Sequence, residues 1–247
     1  MTPDRDELEA LLVRLLHHVG QELPVQGVVK GGLVLRLLDC PRRTNDLDLV
    51  LVPYGSKRDA APRLQQVLEA FPCDSMEITT HSTAIRARLR QGKVVAQVEA
   101  SVAEECPSQP MSTSSLATQH RELPRVVRVM RFEDALAHKL GAWMERGLMR
   151  DLYDVFYWHG VQGVMPDPEI LRRRLASARP RKGRPKEWDM ERLRQSLVET
   201  VGELADDDLR AELQPVLPEI ELVGLAARIR GAVRSLALRL AEVDRAP

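Results

Sequence analysis

The chain has 247 residues and carries 36 basic against 36 acidic ones, so its formal net charge is zero. That length supports one large domain or two modest ones around real cores, and the charge balance excludes a simple nucleic-acid coat protein, which needs a basic excess. Apolar residues make up 44% and charged residues 29%, with no uncharged apolar run of about 18 residues and no charged-then-apolar leader, which predicts a soluble, cytoplasmic protein without a membrane span. Cys40, Cys73 and Cys106 lie far apart, show no C-x-x-C pairing and have no His partner at zinc spacing. They read as reduced, structural thiols.

In chain order, Thr2-Pro3 suits a helix start, and Leu8, Leu11, Leu12, Leu15, Leu16 and Val19 recur with helical spacing. A short extended stretch, Val25 to Lys30, then runs into Gly31-Gly32 and a compact helix from Leu33 to Leu38. In RRTNDLDLVLV, the apolar residues Leu47 and Leu49 to Val52 predict a central strand buried on both faces. A helix from Lys57 to Phe71 follows, then strands Met76 to Thr80, Ala84 to Leu89 and Val94 to Val102, the last two closed by a hairpin at Gln91-Gly92. From Phe132 onward the pattern is helical: 132–146, 150–158, 168–176, 188–204, 208–213 and 223–243. The expected fold is an α/β domain with a mixed sheet and flanking helices over 1–128, followed by an α-helical domain over 129–247. Between Arg172 and Lys186 the second part holds eight basic residues, no acidic one, and Pro180, Gly183 and Pro185, which predicts a basic linker. Such a linker is either solvated or in contact with phosphates.

Asp46 and Asp48 are two apart on an extended segment and therefore project from one face of the sheet. Like charges there repel and resist desolvation unless water or a cation lies between them. Magnesium favours one or two carboxylates together with phosphate oxygens. Taken alone, D-x-D serves equally well to open a strand. Gly31-Gly32, one short helix upstream, adds uncovered backbone N–H groups at a helix start, where a polyphosphate is favoured. Glu99 shares a strand face with Gln97 while Val98 and Ala100 face the core, so it is a candidate third acid. On the helix 132–146, Lys139 and Arg146 lie on one stripe with Trp143 between them. In RDLYD, Asp151 and Asp154 share a face. Lys139 interrupts the apolar ALAHKLGAW and needs an anionic partner, for which a triphosphate or an Asp would serve.

Gly31-Gly32 with its helix, Arg43 to Leu49, Gln97-Val98-Glu99, and Lys139 to Arg146 followed by Arg150 to Asp154 together resemble the AbiEii-type nucleotidyltransferase toxins. These are distant relatives of the polymerase-beta-like nucleotidyltransferases, and the matching segments span roughly residues 25 to 160. The resemblance implies an α/β nucleotidyltransferase domain and a helical domain with a nucleoside triphosphate in the cleft between them. It implies that Gly31 and Gly32 bind the triphosphate through backbone amides and that Asp46, Asp48 and Glu99 hold Mg2+. Lys139 would bind phosphate or stabilise leaving pyrophosphate, Asp151 would be a further catalytic acid, and Arg43 and Arg146 would contact nucleotide. Asp154 would orient Lys139 or Arg146. Two departures stand out: many relatives in the wider superfamily carry Gly-Ser where this chain has Gly31-Gly32, and a basic residue is commoner where it has Gln97.

The chemistry so implied is in-line attack of a hydroxyl on an α-phosphate with release of pyrophosphate. By the same resemblance the acceptor is the 3′ end of tRNA, the consequence is arrested growth, and a separately encoded antitoxin is the expected partner. The competing readings are transfer to a small molecule such as an antibiotic, transfer to a protein hydroxyl, or a non-catalytic nucleotide- or RNA-binding module on the same fold.

Overall fold

A computed structural model describes residues 3–179 and 187–245 of the chain. The chain divides into two compact units, residues 1–131 and 132–247.

The first unit is built on a seven-stranded mixed sheet. Helix α1 (Pro3–Glu22) presents Leu11, Leu12, Leu15, Leu16 and Val19 at the helical period, and all of them are buried. It leads into β1 (Gly27–Lys30), the six-residue helix α2 (Gly32–Leu37) and β2 (Asp46–Leu51). Ser56 caps α3 (Lys57–Glu69) by accepting from the Asp59 N–H, and Leu64, Val67 and Leu68 line its inner face. Strands β3 (Ser75–Thr80), β4 (Ile85–Gln91) and β5 (Val94–Val102) follow as an antiparallel meander. Then come β6 (Ser108–Ser112), the short helix α4 (Ser114–Gln119) and β7 (Val126–Met130). The strand order is β3-β4-β5-β2-β1-β7-β6, with β2 running parallel to β5 and antiparallel to β1. β2 is thus the central strand, and the apolar run Leu49, Val50 and Leu51 at its end is buried on both faces.

Sequence pattern assigned no element to residues 103–131, where the structure has β6, α4 and β7. Pro110 lies within β6, an edge strand where a missing N–H costs no ladder bond. β7 lies between β1 and β6 in the sheet, and the first compact unit runs to residue 131.

A buried ion pair fastens α1 to α2: Arg36 Nε donates to Glu9 Oε1 at 2.5 Å, and His120 Nε2 lies 3.2 Å from Glu9 Oε2. Burial alone would raise the Glu9 pKa, but the Arg36 hydrogen bond and charge overcome it and hold the carboxyl below its ordinary value. His17, 2.8 Å from Thr113 Oγ1, is lowered by burial and then by the Arg125 charge. For both groups the unfolded chain takes up protons first, so stability rises with pH across each titration. His17's contribution is complete above about pH 6.5 and fades below it, and that of Glu9 is lost below about pH 4.3. The melting temperature is expected to fall in two steps between pH 7 and 3. With Glu9→Gln the lower step should become smaller, which calorimetry at closely spaced pH values would register.

Among its described residues the second unit is entirely helical: α5 (Phe132–Arg146), α6 (Met149–Phe156), α7 (Pro168–Ala176), α8 (Met190–Glu203), α9 (Asp206–Leu213), α10 (Glu219–Leu222) and α11 (Leu225–Arg245). The helix expected to run to residue 158 instead passes into a π turn over Tyr157–Val161. There Gly160 packs so closely on Ala232 that a Cβ would lie 2.6 Å from the Ala232 Cβ. Arg172, Arg173 and Arg174 belong to α7 and not to a linker, and Arg174 pairs with Glu145 at 3.5 Å. Of the expected basic linker, residues 180–186 lie outside the described residues. No helix among those described is long and apolar enough to cross a membrane.

Candidate active site

The parallel pairing of β2 with β5 sets Asp46 beside Gln97 and Asp48 beside Glu99. Asp46, Asp48, Gln97 and Glu99 are all half-buried, while Leu47, Leu49, Val98 and Ala100 between them are buried. Alternation along each strand therefore puts the three carboxylate residues on one face of two adjacent central strands. The antiparallel neighbour β1 sets Lys30 beside Asp48, and β4 sets Arg86 beside Glu99. The row Lys30, Asp48, Glu99, Arg86 thus crosses four strands with cations at its ends.

Arg86 Nε donates to Glu99 Oε2 at 2.8 Å, and Lys30 Nζ donates to Ser101 Oγ at 3.1 Å. No group of three or more His, Cys, Asp or Glu side chains is gathered to hold a metal ion among the described residues. The donor set nevertheless suits magnesium, because Asp46, Asp48 and Glu99 offer hard oxygen donors on adjacent registered positions. For Glu99 to join, its carboxylate must exchange Arg86 for the ion, by rotation of a half-buried side chain that is 36% exposed.

Gly31 is positioned against this row. Its backbone, φ 76° and ψ −153°, lies in a region almost restricted to glycine, and a Cβ there would approach Asp48 Cγ to 2.9 Å. The turn and the second carboxylate are therefore fitted to each other. A Cβ on Gly32 would meet Arg42 Nη2 at 2.8 Å and Thr44 Cβ at 3.0 Å. Gly31→Ala is expected to cost about 1–3 kcal/mol of backbone strain and to displace Asp48. Any activity that depends on this carboxylate row should then drop by roughly a hundredfold or more, while Gly92→Ala, in an open hairpin turn with nothing within 4 Å, should leave it intact.

Arg43 does not reach this face as a free cation: its Nη2 is 2.7 Å from Asp6 Oδ1 on α1. The buried Arg42 is the arginine that packs on Gly32. Sequence reasoning missed it, together with Lys30 and Arg86, because no periodicity reveals strand register.

In the second unit, α5 and α6 bring Lys139, Arg146, Asp151 and Asp154 together. Lys139 Nζ lies 2.6 Å from Asp154 Oδ2 and 3.7 Å from Asp151 Oδ1. Arg146 holds Asp151 through both oxygens, at 3.1 and 2.7 Å. Both carboxylates are 1% exposed, which explains why each has a cation: neither could be buried charged alone.

A family model described as "Nucleotidyl transferase AbiEii toxin, Type IV TA system" matches residues 10–235. No curated protein sequence matches the chain. Among solved structures, JHP933 from Helicobacter pylori is similar with a TM-score of 0.57 and 14% identity, over 99% of this chain and 96% of that one. MenT4, the nucleotidyltransferase toxin Rv2826c of Mycobacterium tuberculosis H37Rv, is similar with a TM-score of 0.57 and 18% identity, over 98% of this chain and 89% of that one. At these identities the likeness is one of fold.

Proposed function

Since that match takes in residues 10–235 of 247, the chain belongs to the AbiEii nucleotidyltransferase toxin family, and from this premise we propose that it transfers a nucleoside monophosphate from a nucleoside triphosphate to the 3′ end of tRNA in a magnesium-dependent reaction. The family is that of nucleotidyltransferase toxins of type IV toxin–antitoxin systems. An antitoxin encoded alongside, a cytoplasmic location, and an autonomous helical domain over the second unit belong to the same proposal.

The observation that carries it is the registered set Asp46, Asp48 and Glu99 with Gly31 fitted against Asp48. Bound magnesium would supply charge neutralisation for the attacking and leaving oxygens. The chain's own residues account for the rest. The Gly31 and Gly32 amides face the triphosphate without a side chain in the way. Asp46, Asp48 and Glu99 offer the carboxylates, and Asp48 or Glu99 accepts the proton of the attacking hydroxyl. Lys139 meets phosphate charge. Arg146 is the candidate for a further nucleotide contact, its charge shared with Asp151. Because Asp151 is buried and held at both oxygens, its support is for holding Arg146 and Lys139 in place. Arg43 would need to leave Asp6 to contact phosphate.

The test is incubation of purified protein with magnesium, each α-labelled nucleoside triphosphate in turn, and total tRNA. Label should appear on tRNA with one nucleotide preferred, and should vanish with chelator. Nucleotide-binding protein that labels itself, another protein or an added aminoglycoside but never tRNA would overturn the acceptor and favour the alternatives.

A further inference from the structure

Strand β4 reads Ile85-Arg86-Ala87-Arg88-Leu89-Arg90, and its burial alternates with it: Ile85, Ala87 and Leu89 are buried and Arg86, Arg88 and Arg90 are exposed. All three arginines therefore stand on one face. The pairing of β4 with β5 fixes which face it is. Arg86 is set beside Glu99 and Arg88 beside Gln97, so the stripe shares the face that carries Asp46 and Asp48. It runs alongside those carboxylates two strand spacings away, roughly 10 Å.

Of the three, Arg86 is the one with a side-chain partner among the described residues, Glu99. Glu77 on β3 stands in register with Arg88, yet among the described residues no ion pair joins them, and none engages the Arg90 side chain. Two guanidinium groups are thus held in solvent next to the candidate catalytic face. Three outward positions in succession given to arginine is more than solubility of an edge-proximal strand requires, since the mixed charges found elsewhere on this neutral chain would serve. Alternate residues of a strand are about 6.6 Å apart, comparable with successive phosphates along an extended nucleic-acid strand, and guanidinium groups match phosphate oxygens bidentately.

We infer that Arg88 and Arg90, continuing the line from Arg86, form a track for the sugar–phosphate backbone of the acceptor RNA and deliver its 3′ end to the carboxylates of β2 and β5. This rests on the RNA-acceptor reading above. The track reads phosphate and not bases, so it supports binding of many RNA sequences and leaves the choice among them to other contacts.

The experiment compares total tRNA binding to two proteins, Asp46→Ala and Asp46→Ala with Arg88→Ala and Arg90→Ala, over a series of salt concentrations. Arg86 is left intact because it pairs with Glu99. The added substitutions should weaken binding on the order of tenfold at low salt and flatten the log–log salt dependence by about 0.7 for each arginine that contacts a phosphate. In the otherwise wild-type background, Arg88→Ala with Arg90→Ala should raise KM for tRNA while KM for the nucleoside triphosphate and kcat stay unchanged. Arg88→Lys with Arg90→Lys should restore most of the affinity, which a merely structural role on β4 would also reveal through an altered melting temperature. Unchanged affinity and salt slope would overturn the track, as would absence of tRNA binding by the Asp46→Ala protein. Arginine-dependent binding without any label transfer to tRNA would instead retain the track and remove tRNA as the labelled acceptor.

Discussion

Asp46→Ala is expected to lower nucleotide transfer by at least about a thousandfold, because on the proposed reading it removes one of the carboxylates that would position a divalent ion, and with it several kcal/mol of transition-state stabilisation. The fold should survive. Asp46 begins β2 and is half-buried, and the strand is held by the buried Leu47, Leu49, Val50 and Leu51 together with ladders on both sides. Relief of repulsion from Asp48 works in the variant's favour. The melting temperature should stay within about 4 °C of wild type. Asp46→Asn should be nearly as inactive despite its equal size, because the amide supplies only a neutral donor atom to the ion. Gln97→Ala, in register with Asp46, should retain most activity. A stable Asp46→Ala protein with more than about a tenth of wild-type transfer would remove this carboxylate from the reaction.

How much of this could be read from the sequence depends on the range of the interactions involved. The helices α5 and α7 and the central strand β2 were legible because burial imposes a period on their residues. Leu136, Leu140, Trp143 and Met144, for instance, line the inner face of α5, and Asp134 and Glu133 sit where its first turn favours acid. That Asp46 and Asp48 share a face, and that Glu99 shares one with Gln97, was legible for the same reason, as strand alternation is local; that the two faces coincide follows from the β2–β5 register. What was not legible depends on long-range pairing. The Arg86–Glu99 contact exists because β4 is in register with β5, Arg42 packs on Gly32 from a loop with no periodicity, and Arg43 is taken by Asp6 across 37 positions. β6 and β7 escaped because Pro107 and Pro110 interrupt the pattern and because β6 pairs on one side only. In α6 the spacing of Asp151 and Asp154 showed that they share a face, but only the folded unit shows that Asp154 holds Lys139 while Arg146 holds Asp151.

Asp154→Ala carries the largest expected loss of stability. The carboxylate is 1% exposed and lies 2.6 Å from an ammonium whose side chain is 18% exposed. Removing one partner of a buried pair strands the other charge and costs about 3–5 kcal/mol. Residual access to water at Lys139, and the Asp151 oxygen 3.7 Å away, reduce this to roughly 2–3 kcal/mol. For a chain of this length the melting temperature should fall by about 5–10 °C. The double variant Asp154→Leu with Lys139→Met should recover most of that loss, because two apolar side chains of similar volume need no compensation. Recovery of stability without recovery of transfer would separate the two duties of Lys139: it costs the fold a buried anion to keep it there, and it is kept for the phosphates. Full activity in the same double variant would mean that the pair is structural and that phosphate charge is met elsewhere.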